Sequence, residues 1–210
     1  MPATRTRPRT QPAVVPEGEP GSAAQRERRK RILDATLALA SQGGYDAVQM
    51  RAVAERADVA LGTLYRYFPS KIHLLVCALT EVFDEMQEKL DRKPLPGDTP
   101  AERMMYVLSR ATRLMQRDPL VTEAMTRAFM FADPSAAAEV NTVARQMARM
   151  FARAMHDSAA GNTEPSAQDI AIARVIGDVW LSNLVAWVTR RASADDVSAH
   201  LELAARLLLR

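Results

Sequence analysis

Apolar residues recur three and four positions apart along this chain, and nowhere do they alternate with the period of two that a half-buried strand requires. Ile32, Ala35, Thr36, Leu39 and Ala40 mark one helix, and Gly43-Gly44 supplies the left-handed residue that commonly ends one. Ser22 and Gln25 have the spacing of a capping box, which predicts that this helix starts there. Met50, Val53, Ala54 and Ala57 then make a short apolar face, Asp58 tolerates a tight turn, Val59 is apolar again, and Gly62 to Phe68 forms a second short helix. Further on, Thr99-Pro100-Ala101-Glu102 is a capping box with proline at the first helical position, and Asp118-Pro119 and Asp133-Pro134 are aspartate caps followed by proline, each predicting a new helix. A polar loop from Gly161 to Pro165 precedes Ser166, which is predicted to cap a long helix to about Arg191, and Ser193 with Asp196 caps the last. With no hairpin dipeptide and no internal repeat, the fold class is all-α, with about nine helices in two parts.

The segment from Met50 to Phe68 reads as helix, turn, helix. On its second helix Leu64 and Phe68 are four apart and pack inward, which leaves Gly62, Thr63, Arg66 and Tyr67 on the other side with Tyr65 flanking. Such a helix can enter a major groove, with Thr63 reaching a base edge and the phenols reaching phosphates. Lys71 falls in the first turn of the next helix, where the macrodipole disfavours a cation by about 0.3–1 kcal/mol. A DNA phosphate there would reverse that cost, and the alternative is a lysine pointing into water. Arg51, in the first turn of its own helix, takes the same reading.

Composition adds a polyanionic partner. Five of the seven residues from Gln25 to Arg31 are basic, and the first 21 residues hold five of the twelve prolines together with Arg5, Arg7 and Arg9. That arm, residues 1–21, lacks the apolar content for a core and is expected to be disordered when free. The basic run, including Arg26 and Arg29, suits phosphates, or else is a solvated helix face. Cys77 is the lone cysteine, so no intrachain disulfide forms; no signal-peptide layout and no uninterrupted membrane-length apolar run is evident, and a cytoplasmic location without a membrane partner is expected.

The run from Gln49 to Lys71, above all Arg51-Ala52-Val53-Ala54-Glu55-Arg56-Ala57 and Gly62-Thr63-Leu64-Tyr65-Arg66-Tyr67-Phe68-Pro69-Ser70-Lys71, resembles the DNA-binding stretch of the TetR family of repressors. The resemblance implies a three-helix DNA-binding domain over residues 22–70 and a larger helical ligand-binding and dimerisation domain over 71–210. It also implies operator contacts from Thr63, Tyr65, Tyr67 and Lys71, to which the exposed face adds Leu61, Gly62 and Arg66. Two departures stand out. Gln49 and Ala60 occupy positions where the family usually has hydroxyl caps, each loss costing about 0.5–2 kcal/mol, and Asp58 replaces a usual turn glycine.

The second part carries eight of the eleven methionines between Thr99 and Met155. Methionine suits an adaptable apolar pocket and equally a plain core. The candidate lining is Met104, Leu108, Met115, Met125, Phe129, Met147 and Phe151, joined by Trp180, Asn183, Leu184 and Trp187, whose shared helix face lines a cavity or forms a dimer seam. The stretches from Ala24 to Thr36, Met115 to Ala128 and Asp178 to Leu184 narrow the resemblance to the family's cholesterol-catabolism repressors. That likeness implies a coenzyme A thioester of a steroid acid as inducer. Cations for its phosphates would come from among Arg113, Arg117, Arg127, Arg145, Arg149, Arg190 and Arg191. Val175, Val179, Val188, Leu201, Ala205 and Leu208 are expected to form a four-helix seam with a second copy, spacing two recognition helices about 34–36 Å apart on a palindromic operator.

Catalysis finds no support. His73, His156 and His200 form no HExxH, there is no GxSxG, P-loop or GxGxxG, and Cys77 lies among Leu74, Leu75 and Ala78 on an apolar helix, so neither a cofactor nor a metal is expected. A ligand-independent architectural protein is the other rival, and it would bind most DNA sequences with similar affinity.

Overall fold

The computed structural model describes residues 23–156 and 165–209. The Ser22 cap, the arm with its arginines, and the loop from Gly161 to Glu164 lie outside the described residues. Those described form nine α-helices and one 3-10 turn, with no strand among them: α1 Ala23–Ala47, α2 Met50–Arg56, α3 Leu61–Tyr67, α4 Lys71–Asp91, α5 Pro100–Gln116, α6 Pro119–Met130, a 3-10 turn at Pro134–Ala136, α7 Ala137–His156, α8 Ala167–Val188 and α9 Ala194–Leu208.

The capping signals act largely as their chemistry dictates. Thr99, Ser166 and Ser193 each accept the amide three residues on, while Glu102, Asp169 and Asp196 reach back to the cap amide. Asp118 accepts from the Val121 amide at 3.1 Å. Asp133 caps a 3-10 turn rather than an α-helix, and α7 follows at Ala137. Gly43 and Gly44 break the helix as expected, Gly44 taking the left-handed φ of 64°, and a short turn through Ala47 follows the kink within the α1 range. One helix end differs from expectation: α8 stops at Val188 instead of about Arg191, because Arg190 takes a left-handed φ of 59°. Gln49 and Ala60 cap without side-chain hydrogen bonds, and Asp58, with φ 52°, is the left-handed hinge between α2 and α3.

Packing joins the two parts through one apolar core. α1 lies on α6, α4 and α2; α4 runs against α6 and α7; α7 sits between α5 and α8; α9 covers α8 and α5. Ile32, Val48, Val53, Leu64, Phe68 and Leu74 are fully buried around the short helices, and the same cluster continues to Met104, Phe151, Ile176 and Leu201. A buried cation holds one corner. The Arg103 guanidinium, 4% exposed, donates to the carbonyls of Ala154 at 2.9 Å, Gly97 and Asp98 at 3.3 Å, and Met155 at 3.4 Å, which satisfies the free end of α7.

Among the described residues α8 alone is long and apolar enough, by length and composition, to cross a membrane, although charged residues interrupt it. It carries Asp169, Arg174 and Asp178 and packs on α6, α7 and α9. Its residues Ile170 and Val175, and Leu203 and Leu207 of the adjacent α9, are about half exposed, so both helices carry uncovered apolar side chains.

Candidate nucleic-acid interface and ligand cleft

The core contacts of α3 determine what its other face presents. Leu64 and Phe68 are both 0% exposed, so the helix cannot roll, and Gly62, Tyr65 and Arg66 are exposed with Thr63, Leu61 and Tyr67 half-buried. The Arg66 guanidinium donates to the Thr63 hydroxyl at 3.3 Å. Gly62 is informative because nothing lies within 4 Å of where its Cβ would be. No packing constraint inside the protomer requires a glycine there. Its bare surface matters only to something that comes close from outside.

The flanking cations take different environments. Arg26 is exposed at the start of α1, and Arg51 is exposed at the start of α2. Arg29 is drawn inward, with its guanidinium 5.2 Å from the Phe68 ring centroid and 3.8 Å from the Glu81 carboxylate, so it ties α1 to α3 and α4. The Lys71 ammonium donates to the Tyr45 carbonyl at 2.9 Å and lies 3.9 Å over the Tyr45 ring. Burial pushes its pKa below the usual lysine value; Asp46 opposes that shift, Arg127 adds to it and Glu123 opposes it. Its ammonium is thus turned onto Tyr45, to whose carbonyl one of its three protons goes.

In the sensor half the candidate lining is packed as core. Met104, Leu108, Met115, Met125, Phe151, Trp180, Asn183 and Leu184 are buried, while Phe129, Met147 and Trp187 are half-buried. The Trp180 indole donates to the Thr112 hydroxyl at 3.0 Å and sits 5.9 Å from the Phe83 ring, which puts it inside the protomer rather than on a seam. Asn183 donates to the Val179 carbonyl and faces His200 Nδ1 at 2.8 Å. Leu201 and Ala205 are likewise interior, at 1% and 0% exposure, so they drop out of the expected seam, whereas Val175 and Leu208 remain on the surface.

A cleft of about 380 Å³ opens where α1, α4, α5 and α6 meet. Its walls are Leu37, Ala38, Val82, Leu114, Val121, Thr122 and the two expected residues Met115 and Met125, with Arg117 and Asp118 at the rim. Leu37, Ala38 and Val121 escape sequence reasoning because their helices are far apart in the chain. A second depression of about 370 Å³, at the corner between α8 and α9, is lined by Trp187, Arg190, Arg191 and Asp196. Of the other candidate cations, Arg127 pairs with Asp46 and Glu123, Arg145 donates to Thr142, and Arg113 and Arg149 are exposed.

A short helix with an exposed glycine, set by a hinge behind a second short helix on a larger helical body, defines a class, and comparison with known proteins agrees. Residues 32–76 match the model for bacterial regulatory proteins of the tetR family, and residues 97–208 match that for the tetracyclin repressor-like C-terminal domain. The chain belongs to the TetR family of DNA-binding transcriptional regulators. Within it, the chain is 64% identical over 200 residues to the HTH-type transcriptional repressor KstR of Mycolicibacterium smegmatis, covering 95% of this chain and 96% of that one. It is 66% identical to KstR of Rhodococcus jostii over 94% of this chain and 90% of that protein. It is thus a KstR-like repressor. Among solved structures, a TetR transcriptional regulator from Rhodococcus sp. RHA1 superposes with a TM-score of 0.80 at 32% identity, covering 89% of this chain and 97% of that one. Thermus thermophilus FadR, solved in complex with lauroyl-CoA, shares the fold with a TM-score of 0.68 at 20% identity over 86% and 92% of the two chains.

Proposed function

We propose that this protein is a cytoplasmic homodimer that represses steroid-catabolism genes from a palindromic operator and is released by a coenzyme A thioester of a steroid acid. In this reading residues 22–70 contact DNA and residues 71–210 do the sensing and pairing. The carrying observation is the outward face of α3, where an unconstrained Gly62 sits among Leu61, Thr63, Tyr65, Arg66 and Tyr67, and the helices before and after it bring Arg26 and Arg51, both exposed, and Arg29 and Lys71, both half-buried. A glycine with free space above it beside donors and phenols suits close approach to a groove, Thr63 and Arg66 reading bases and the phenols and cations holding phosphates. The half-exposed apolar stripe of α8 and α9 suits a second copy, as isologous pairing would bury it twice.

For the inducer, the apolar cleft beside Met115 and Met125 leads toward a methionine-rich core that can part around a rigid ring system. Arg117 at the rim offers a cation for phosphate. FadR, of the same fold, holds a CoA thioester, so lauroyl-CoA is the natural competitor. The test is a titration of labelled palindromic promoter DNA with native protein and with the Thr63→Ala, Tyr65→Ala double variant. The variant is expected to bind at least about tenfold more weakly, since the lost Thr63 base contact costs about 1–3 kcal/mol and the lost Tyr65 phosphate contact adds to it. A steroid-acid CoA thioester should release native protein while the free acid does not. Unchanged affinity in the double variant would overturn the interface, and release by lauroyl-CoA alone would replace the steroid with a linear acyl chain.

A further inference from the structure

The end of α1 is held to α6 by a cluster of polar contacts beside their apolar packing. The Glu123 carboxylate accepts the Tyr45 amide at 2.8 Å, and its other oxygen lies 3.7 Å from the Arg127 guanidinium, which reaches Asp46 at 3.5 Å. Arg127 also lies 4.4 Å over the Tyr45 ring, the ring that receives Lys71. Gly44 makes the approach possible. With φ 64° it takes a conformation that favours glycine, and a Cβ there would sit 2.6 Å from the Glu123 carboxylate. Met50, the first residue of α2, follows five positions after Tyr45, so whatever holds Tyr45 also sets where the helix-turn-helix begins.

The same short helix forms a wall of the cleft. Val121, Thr122 and Met125 face it, opposite Leu37 and Ala38 of α1, while Glu123 and Arg127 are directed to the Tyr45 end. α6 is 12 residues long and hydrogen-bonded as one rod, so a ligand that wedges α6 from α1 moves both sets together. A displacement of about 1 Å stretches a hydrogen bond of this length beyond its useful range.

We propose that Glu123 and Arg127 form a clip on the end of α1, and that release of this clip by a ligand in the adjoining cleft is the step that lowers operator affinity. The proposal rests on the ligand-responsive reading above, and the experiment separates the two. Operator Kd is measured for native protein, Glu123→Ala and Glu123→Gln, each without ligand and with saturating steroid-acid CoA thioester or lauroyl-CoA, together with hydrogen exchange at the Tyr45 amide. Glu123→Ala should exchange faster at Tyr45 and bind operator about tenfold more weakly without ligand, within the roughly 5- to 150-fold range of allosteric couplings, and added thioester should then change its Kd by less than about twofold. Glu123→Gln keeps an oxygen for the Tyr45 amide and should restore most of the affinity. Native affinity and a full thioester response in Glu123→Ala, with faster Tyr45 exchange, would overturn the clip. If neither thioester shifts native protein, the ligand reading falls, and the ligand-free arm still decides whether the clip positions the DNA-binding helices. Should Glu123→Ala not fold, Arg127→Ala, which leaves the Tyr45 amide bonded, is expected to weaken operator binding about threefold or more; native affinity there would equally overturn the proposal.

Discussion

The two halves of this molecule use side chains in opposite ways. In α3 the residues that fix the helix, Leu64 and Phe68, are fully buried, and the residues proposed to act are those the core does not need. In the sensor half the residues proposed to meet a ligand, such as Met104, Phe151 and Trp180, are themselves the core, exposed by no more than 2%. A reading surface can therefore change its side chains at little cost to folding. A sensing interior cannot, because every substitution that reshapes the ligand site also alters the packing that holds the fold.

The largest effect expected from this contrast is Trp180→Ala, which removes a buried indole and orphans the Thr112 hydroxyl. Urea unfolding should show a loss of about 3–5 kcal/mol, as for other large-to-small aromatic substitutions in cores. A loss under about 1 kcal/mol would mean that the sensor interior is already loose, and the contrast would fail. Gly62→Ala sharpens the same contrast from the other side. Alanine favours helix by up to about 1 kcal/mol and meets no neighbour, so thermal stability should hold or rise while operator affinity falls. Stability and affinity falling together would place Gly62 among the structural residues instead.

The smallest effect concerns acid. Hydrogen bonds from Thr99 and Asp98 lower the pKa of Glu102, and those from Ser193 lower that of Asp196; for Asp169, burial raises the pKa but Ser166 and His156 together lower it further. A carboxyl whose folded pKa is depressed stabilises the fold above its unfolded pKa and loses that contribution as pH falls through the folded value. Unfolding titrations from pH 7 to pH 3 should therefore show a decline beginning near the ordinary carboxylate range and continuing below it. Asp196→Asn should flatten part of that decline. These caps stand at α5, α8 and α9, so α2 and α3, which lack side-chain caps, should contribute little to it.

Much of the fold is legible in the chain because its signals are local. Thr99, Asp118, Ser166 and Ser193 each satisfy amides within one turn, so a few residues decide each boundary. The inward pair of α3 is legible for the same reason. Gly43-Gly44 breaks the helix as its glycines dictate, but the short turn that resumes beyond it has no local signal, since its Tyr45 amide is held by Glu123, 78 positions away. The clip between α1 and α6 is invisible to sequence reading on those grounds, and the cleft is legible only in part: Met115 and Met125 are expected, while Leu37 and Ala38 come from a helix whose nearness to α6 nothing local announces. The division of α8 and α9 between interior and surface is equally a tertiary matter, since Leu201 and Leu203 differ in what lies beyond them and not in kind.

Arg103 carries a consequence for behaviour in harsh media. Its four acceptors are peptide oxygens, which neither titrate nor collect counterions, and it is almost wholly shielded from water. Salt or acid that weakens the surface pairs of Arg206 with Glu202 or Lys89 with Glu85 therefore has no charge to screen and no proton to add among the acceptors that tie α5 to α7.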